Sequence, residues 1–238
     1  MEESGRRLPP LRVLSAGAAQ GLIEGLQREF LAAGFEVDAG FYPVGVVVER
    51  LRAGETCDAV VLTAARLEPL ARSGEVRGDS IVLLGDVPTA VAVRSGQAAP
   101  EVSTAAALES ALLAADAIYL PDIERSTAGA HCAAMLRTMG IMTTVTARIE
   151  QRPNGVAAMR ALAQSRDANP IGCTQLTEIA ISAGVALVGP LPEPFALVTA
   201  YCVAVAAHAR APEQARRFAA LLAGEDSREL RRRCGLDV

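Results

Sequence analysis

The chain has 238 residues, a hydrophobic fraction of 51% and a formal charge of −4, with 27 acidic positions against 23 basic ones, all of them arginine. Without lysine it cannot form a Schiff base, hold pyridoxal phosphate as an imine or supply a Walker A lysine, and its two histidines, His131 and His208, make no HExxH or His-rich metal cluster. Net acidity with only 3% aromatics excludes a basic or base-stacking nucleic-acid surface, so neither a metal, a cofactor nor a nucleic-acid partner is expected.

Residues 11–16 (LRVLSA) read as a strand, followed by a small-residue turn and a helix marked by Leu22, Leu26 and Phe30. A second strand over 35–41 is punctuated by Tyr42-Pro43-Val44-Gly45 and followed by a helix over 46–53 ending at Gly54. DAVVL at 58–62 reads as a buried parallel strand and 64–72 as its helix. The β-prone run 81–94 is expected to break at Gly85-Asp86 and Pro88. Helices are expected over 104–115, 126–139, 154–164 and 175–182, strands over 117–120, 143–149 and 169–174. A last strand over 197–206 precedes terminal helices at 212–222 and 227–234. Strands alternating with helices predict parallel, right-handed α/β packing.

The five cysteines, Cys57, Cys132, Cys173, Cys202 and Cys234, are odd in number with no CxxC, which favours reduced thiols. No uninterrupted apolar h-region opens the chain and no apolar run approaches the ~18 residues of a membrane helix. The expectation is a cytoplasmic protein as written, without membrane insertion, and a periplasmic one if a signal has been removed.

Several strings in fixed order carry a family likeness: VLSAGAAQGLIEGLQREF, LRAGETCDAVVL, LPDIERSTAGAHCAAMLRTMG, IGCTQLTEI and AYCVAVAAHARAPEQARRFAALL. Together they resemble the periplasmic molybdate-binding proteins, type II solute-binding components of ABC importers. The resemblance implies an α/β fold of two lobes, each a mostly parallel sheet flanked by helices. Lobe 1 would hold residues 1–87 plus 199–238 and lobe 2 residues 88–198, with a small anion clamped between them and a transporter permease as partner only if the protein is exported. The family's two serine ligands fall on Ala18 and on Val44 or Gly45, its tyrosine near Cys173, and its third-turn alanine on Ala128. Three hydroxyl donors are thus missing, at typically ~1 kcal/mol each, which points away from molybdate and toward a larger anion such as an organic carboxylate.

The residues point to the same cleft independently. Helix N-termini after parallel strands bind anions through free N–H groups. Four turns have that form: Ser15 to Gln20 with Gly17 and Ala18, Tyr42 to Gly45, Ser126 to Gly129 with Thr127 and Ala128, and Pro153 to Val156 with Asn154 and Gly155. Ser126, Thr127 and Asn154 are helix caps as well as ligand donors. Arg125 either clamps a carboxylate or is solvated, and Tyr42 either covers the cleft or packs. Thr174 and Gln175 end a buried strand and need partners, whereas Glu178 faces solvent or pairs with arginine. His131 and Cys132 are adjacent on a helix and so cannot form a dyad.

These observations favour a solute-binding module. The alternative is a cytosolic isomerase on the same scaffold, moving a proton on an unsaturated di- or tricarboxylate such as aconitate. Its proton carriers would be Glu124, Cys173, Tyr42 or His131. A ligand sensor ranks behind both, because no DNA-binding module accompanies the fold.

Overall fold

Residues 9–237 are described in a computed structural model; residues 1–8, the start of the stretch read above for a secretory signal, and Val238 lie outside that span. Strand β1 (Leu11–Ala16) runs through a 3₁₀ turn, Gly17–Ala19, into α1 (Gln20–Gly25) and α2 (Gln27–Ala32). Then come β2 (Val37–Tyr42), α3 (Val44–Arg52), β3 (Ala59–Thr63), α4 (Ala64–Arg72) and β4 (Val82–Arg94). The middle of the chain forms α5 (Ala105–Ala114), β5 (Ala117–Pro121), α6 (Thr127–Thr138), α7 (Met142–Val145), β6 (Ile149–Arg152) and α8 (Gly155–Gln164). It closes with β7 (Pro170–Gln175), α9 (Leu176–Ala180), β8 (Val185–Pro190), β9 (Val198–Val205), α10 (Pro212–Ala223) and α11 (Arg228–Arg233).

The strands lie in the order β2-β1-β3-β9-β4-β7-β5-β6, with β8 pairing on β4. Pairs β1–β2, β1–β3, β5–β6 and β5–β7 are parallel, as βαβ connection requires. The long strands β4 and β9 run antiparallel to their neighbours and join the two halves. Val82 to Pro88 of β4 pair with β9, and Thr89 to Val93 pair with β7. The apolar side chains divide accordingly. One core, with Phe30, Leu62, Tyr201 and Phe218, draws on residues 11–87 and 201–236. The other half packs on both faces of β5 and β7, with Ile118 and Cys173 on the α6 side and Tyr119 and Met159 on the α8 side.

Local chemistry accounts for the element ends. DAVVL is buried on both faces, as a central strand should be, and the Asp58 carboxylate accepts the N–H groups of Arg12, Arg210 and Ala211 at 2.7–3.0 Å, tying β1 to the start of α10. Thr104, Ser126 and Asn154 cap their helices through side-chain oxygens.

Three expectations are corrected. The run 81–94 is one strand without a break: Gly85, at φ 146°, shifts the register against β9 as a bulge, and Pro88 sits at the crossover between the halves. Residues 143–149, β-branched and so strand-like, form α7 and a 3₁₀ turn, because Val145 is buried in the second core and Thr146 bonds back to the Met142 carbonyl. Strand β8 escapes the sequence pattern altogether, and Leu26 divides the first helix in two by leaving helical ψ just after a low-propensity glycine.

Candidate functional site

All four anticipated turns lie at strand-to-helix junctions, yet each has at least one donor already taken. The Gly45 N–H at the start of α3 donates to the Arg125 carbonyl at 2.8 Å, so the second turn meets the third across the gap between the halves. Ser126 accepts from Gly129 at 3.4 Å, and Asn154 accepts from Ala157 at 2.8 Å. Ser15 turns its hydroxyl to the Ala16 carbonyl. The Gly155 N–H, opening α8, donates to the Glu178 carboxyl, which also accepts from the Gln175 N–H and, at 2.5 Å, from the Thr174 hydroxyl.

Glu178 corrects a sequence expectation. It is 5% exposed and has no arginine against it, and burial pushes its carboxyl above the ordinary carboxylate range despite the three hydrogen bonds it accepts. A Cβ on Gly17, in the first turn of the other half, would stand 2.5 Å from its Oε1, and a Cβ on Gly155 would overlap its Oε2. A side chain at either place would displace the Glu178 carboxyl.

Elsewhere between the halves opens a cavity of about 510 Å³, whose lining includes Val44, Thr63, Arg66, Arg125, Thr127 and Thr199. Two helix N-termini face it, those of α4 and α6; the first has no side-chain cap. Arg66 is exposed there and, among the described residues, has no acidic partner. Arg125 is half-exposed but held by Asp122 at 2.8 Å, with Glu49 of α3 at 3.9 Å. Burial raises the Asp122 carboxyl, but the N–H groups of Arg125 and Glu124 and the guanidinium outweigh it and hold the carboxyl below its ordinary range.

At the crossover, three buried polar side chains lack a partner: Thr89 Oγ1, both ends of the Gln175 amide, and Thr199 Oγ1. Thr89 and Gln175 are directly opposite on β4 and β7, and the Thr89 N–H bonds the Leu197 carbonyl at the cavity wall. Tyr201, fully buried two residues beyond Thr199, accepts a hydrogen bond from the Thr127 hydroxyl, and burial followed by the nearby Glu178 raises its phenol.

Of the other sequence candidates, Tyr42 does not cover the cleft: its ring lies under the Arg50 guanidinium at 4.0 Å and over Gly40. Cys173 alternates away from Thr174 into the second core, its sulfur 2.9 Å from Cys132, and burial adds to that contact in raising its thiol. Ala18 and Ala128 are buried at their turns. His131 bonds the Phe195 carbonyl at 2.8 Å. Sequence reading passed over Thr199, Tyr201 and the α4 turn, although DAVVL followed by Thr63 and a helix is the same strand-to-helix signal as the four turns it did use. All five cysteines are free and buried, no group of three His, Cys, Asp or Glu among the described residues could hold a metal, and no described helix is long and apolar enough to cross a membrane.

Comparison with known proteins yields one family and several relatives. The sequence profile of the family described as bacterial extracellular solute-binding protein matches residues 11–237. An aconitate isomerase from a Pseudomonas species is 30% identical over 227 residues, covering 91% of this chain and 83% of the relative. In fold, the chain is similar to the periplasmic molybdate-binding protein of Azotobacter vinelandii (TM-score 0.77, 16% identity, 96% and 99% of the two chains). It is also similar to the sulfate-binding protein of Mycobacterium tuberculosis (TM-score 0.74, 16% identity, 96% and 86%).

Proposed function

The chain belongs to the bacterial extracellular solute-binding proteins, and from that premise we propose that it clamps a small organic polycarboxylate between its two lobes. The observation that carries this reading is the cavity of about 510 Å³, on which the N-termini of α4 and α6, the unpaired Arg66 and the orphaned Thr199 hydroxyl converge. That volume lies in the range of organic-ligand pockets and is several times what a tetrahedral oxyanion fills. Two helix ends offer uncommitted N–H groups to carboxylates, and a guanidinium adds a bidentate donor. The loss of the family's serines, at Ala18 and at Val44 or Gly45, fits the same choice. Isothermal titration with citrate, cis-aconitate, trans-aconitate, malate, sulfate and molybdate tests it. Binding of one or more carboxylates with weak or absent oxyanion binding is the expected pattern; silence toward every carboxylate by folded protein refutes it.

A second reading, proton transfer on a bound unsaturated tricarboxylate, is favoured by the aconitate isomerase relative. Such an isomerisation removes a proton from one carbon and returns one to another, so it needs no co-substrate. Of the carriers expected from the sequence, Cys173, Tyr42 and His131 are engaged elsewhere, and Glu124 alone lines the cavity. Proton NMR in deuterated buffer with cis- and trans-aconitate decides: interconversion with deuterium incorporation, lost in Glu124→Gln while binding persists, supports it, and unchanged spectra remove it.

A further inference from the structure

The first turn of one lobe, at Gly17, faces the fourth turn of the other, at Gly155, and a single small seat lies between them. It holds a side-chain carboxyl. The Glu178 carboxyl reaches it from α9, takes the Gly155 N–H and the Thr174 hydroxyl, and lies against Gly17 across the interlobe gap. Glycine at both 17 and 155 makes the room; any side chain at either position would overlap the carboxyl oxygens.

We propose that Glu178 is the residue that sets ligand class: its carboxyl sits where a tetrahedral oxyanion would sit, uses that anion's donors, and leaves the cavity at α4 and α6 as the ligand site. Two features support this. The donors engaged, a helix-terminal N–H and a hydroxyl, are of the type that holds an oxyanion. The Gly17 contact spans the two lobes, so the carboxyl also does the bridging that an anion held between lobes would do. The inference deepens the carboxylate-clamp reading and rests on it for the identity of the second site.

The test compares wild type with Glu178→Ala, which empties the seat, and Glu178→Gln, which keeps it filled, by calorimetric titration with sodium molybdate, sodium sulfate and trans-aconitate. Folding is checked by circular dichroism and thermal melts, and Glu178→Ser replaces the alanine variant if that fails to fold. Expected results are no oxyanion binding in wild type or Glu178→Gln, and at least ~30-fold tighter binding of molybdate or sulfate in Glu178→Ala once the N–H and hydroxyl donors are released. Two results overturn the proposal: wild type binding molybdate or sulfate more tightly than the emptied variant, or a folded Glu178→Ala as blind to both as wild type. The trans-aconitate arm separates this from the clamp itself: a gain of oxyanion binding with no carboxylate binding in any variant sinks the clamp and keeps the seat.

Discussion

Replacing Glu178 by glutamine gives a direct measure of the buried carboxyl. Glu178 is 5% exposed and faces no cation, and burial outweighs its three accepted hydrogen bonds, so its native pKa lies above that of the unfolded chain. Below the ordinary carboxylate range, ~4.3, both states carry the proton and Glu178 contributes its full stability. As pH rises past that range the unfolded chain ionises while the native state keeps its proton, so stability is lost progressively until pH reaches the native pKa. For one proton the slope is at most about 1.4 kcal/mol per pH unit. Glutamine has nearly the same shape and no titration, so the difference between the two proteins cancels the other acids. Urea unfolding of wild type and Glu178→Gln at half-unit steps from pH 4 to 8.5 should show wild type losing ground to the variant as pH rises, then a plateau whose onset reports the native pKa. A difference that is flat, or that moves in favour of wild type with rising pH, refutes the upward shift of the Glu178 carboxyl.

Three further outcomes follow from the geometry. Thr199→Val replaces a buried hydroxyl that has no partner by a methyl group of the same shape; stability should hold or rise by up to about 1 kcal/mol while carboxylate affinity falls about fivefold, both read from one set of ligand-dependent melts. Arg66→Ala should weaken carboxylate binding about tenfold and Arg125→Ala threefold or less, because Asp122 already holds the Arg125 guanidinium at 2.8 Å; equal losses by calorimetry would count against the cavity as the site. Asp58→Ala leaves three part-buried N–H groups at the start of β1 and α10 without their acceptor and should cost about 2 kcal/mol in urea unfolding, without changing the affinity of the protein that remains folded.

How far the sequence could reach depended on whether a signal is local. DAVVL, the caps Ser126 and Asn154, and Gly54 at φ 81° announce their elements within a few residues, and those elements stand where the pattern puts them. At 143–149 the β-branched residues are helical because the second core holds Val145, a fact visible only in three dimensions. The site divides in the same way. The turns were legible as strand-to-helix junctions, but where their N–H groups point was not: Gly45 is satisfied by Arg125, 80 positions away, and Gly155 by Glu178. Glu178 itself sits in IGCTQLTEI with no periodic mark of burial, and its neighbour Gly17 comes from the opposite end of the chain.

The contacts that join the lobes at the cleft differ in kind from those within each core. Gly45 to Arg125, Arg125 to Glu49 at 3.9 Å, Thr127 to Tyr201 and Gly17 against Glu178 are polar or steric, and the exposed ion pair is screened by solvent. The apolar clusters are linked through the crossing strands β4 and β9 and, as an exception to that polar character, through Leu176 of α9, which packs on the first core and on the α8 side of the other half. At the same crossover Thr89, Gln175 and Thr199 carry buried polar atoms without a partner. On the carboxylate-clamp reading, Thr199 and Arg66 at the cavity wall are the groups a carboxylate would pair with, while Glu178 holds the turn donors that an inorganic oxyanion would need.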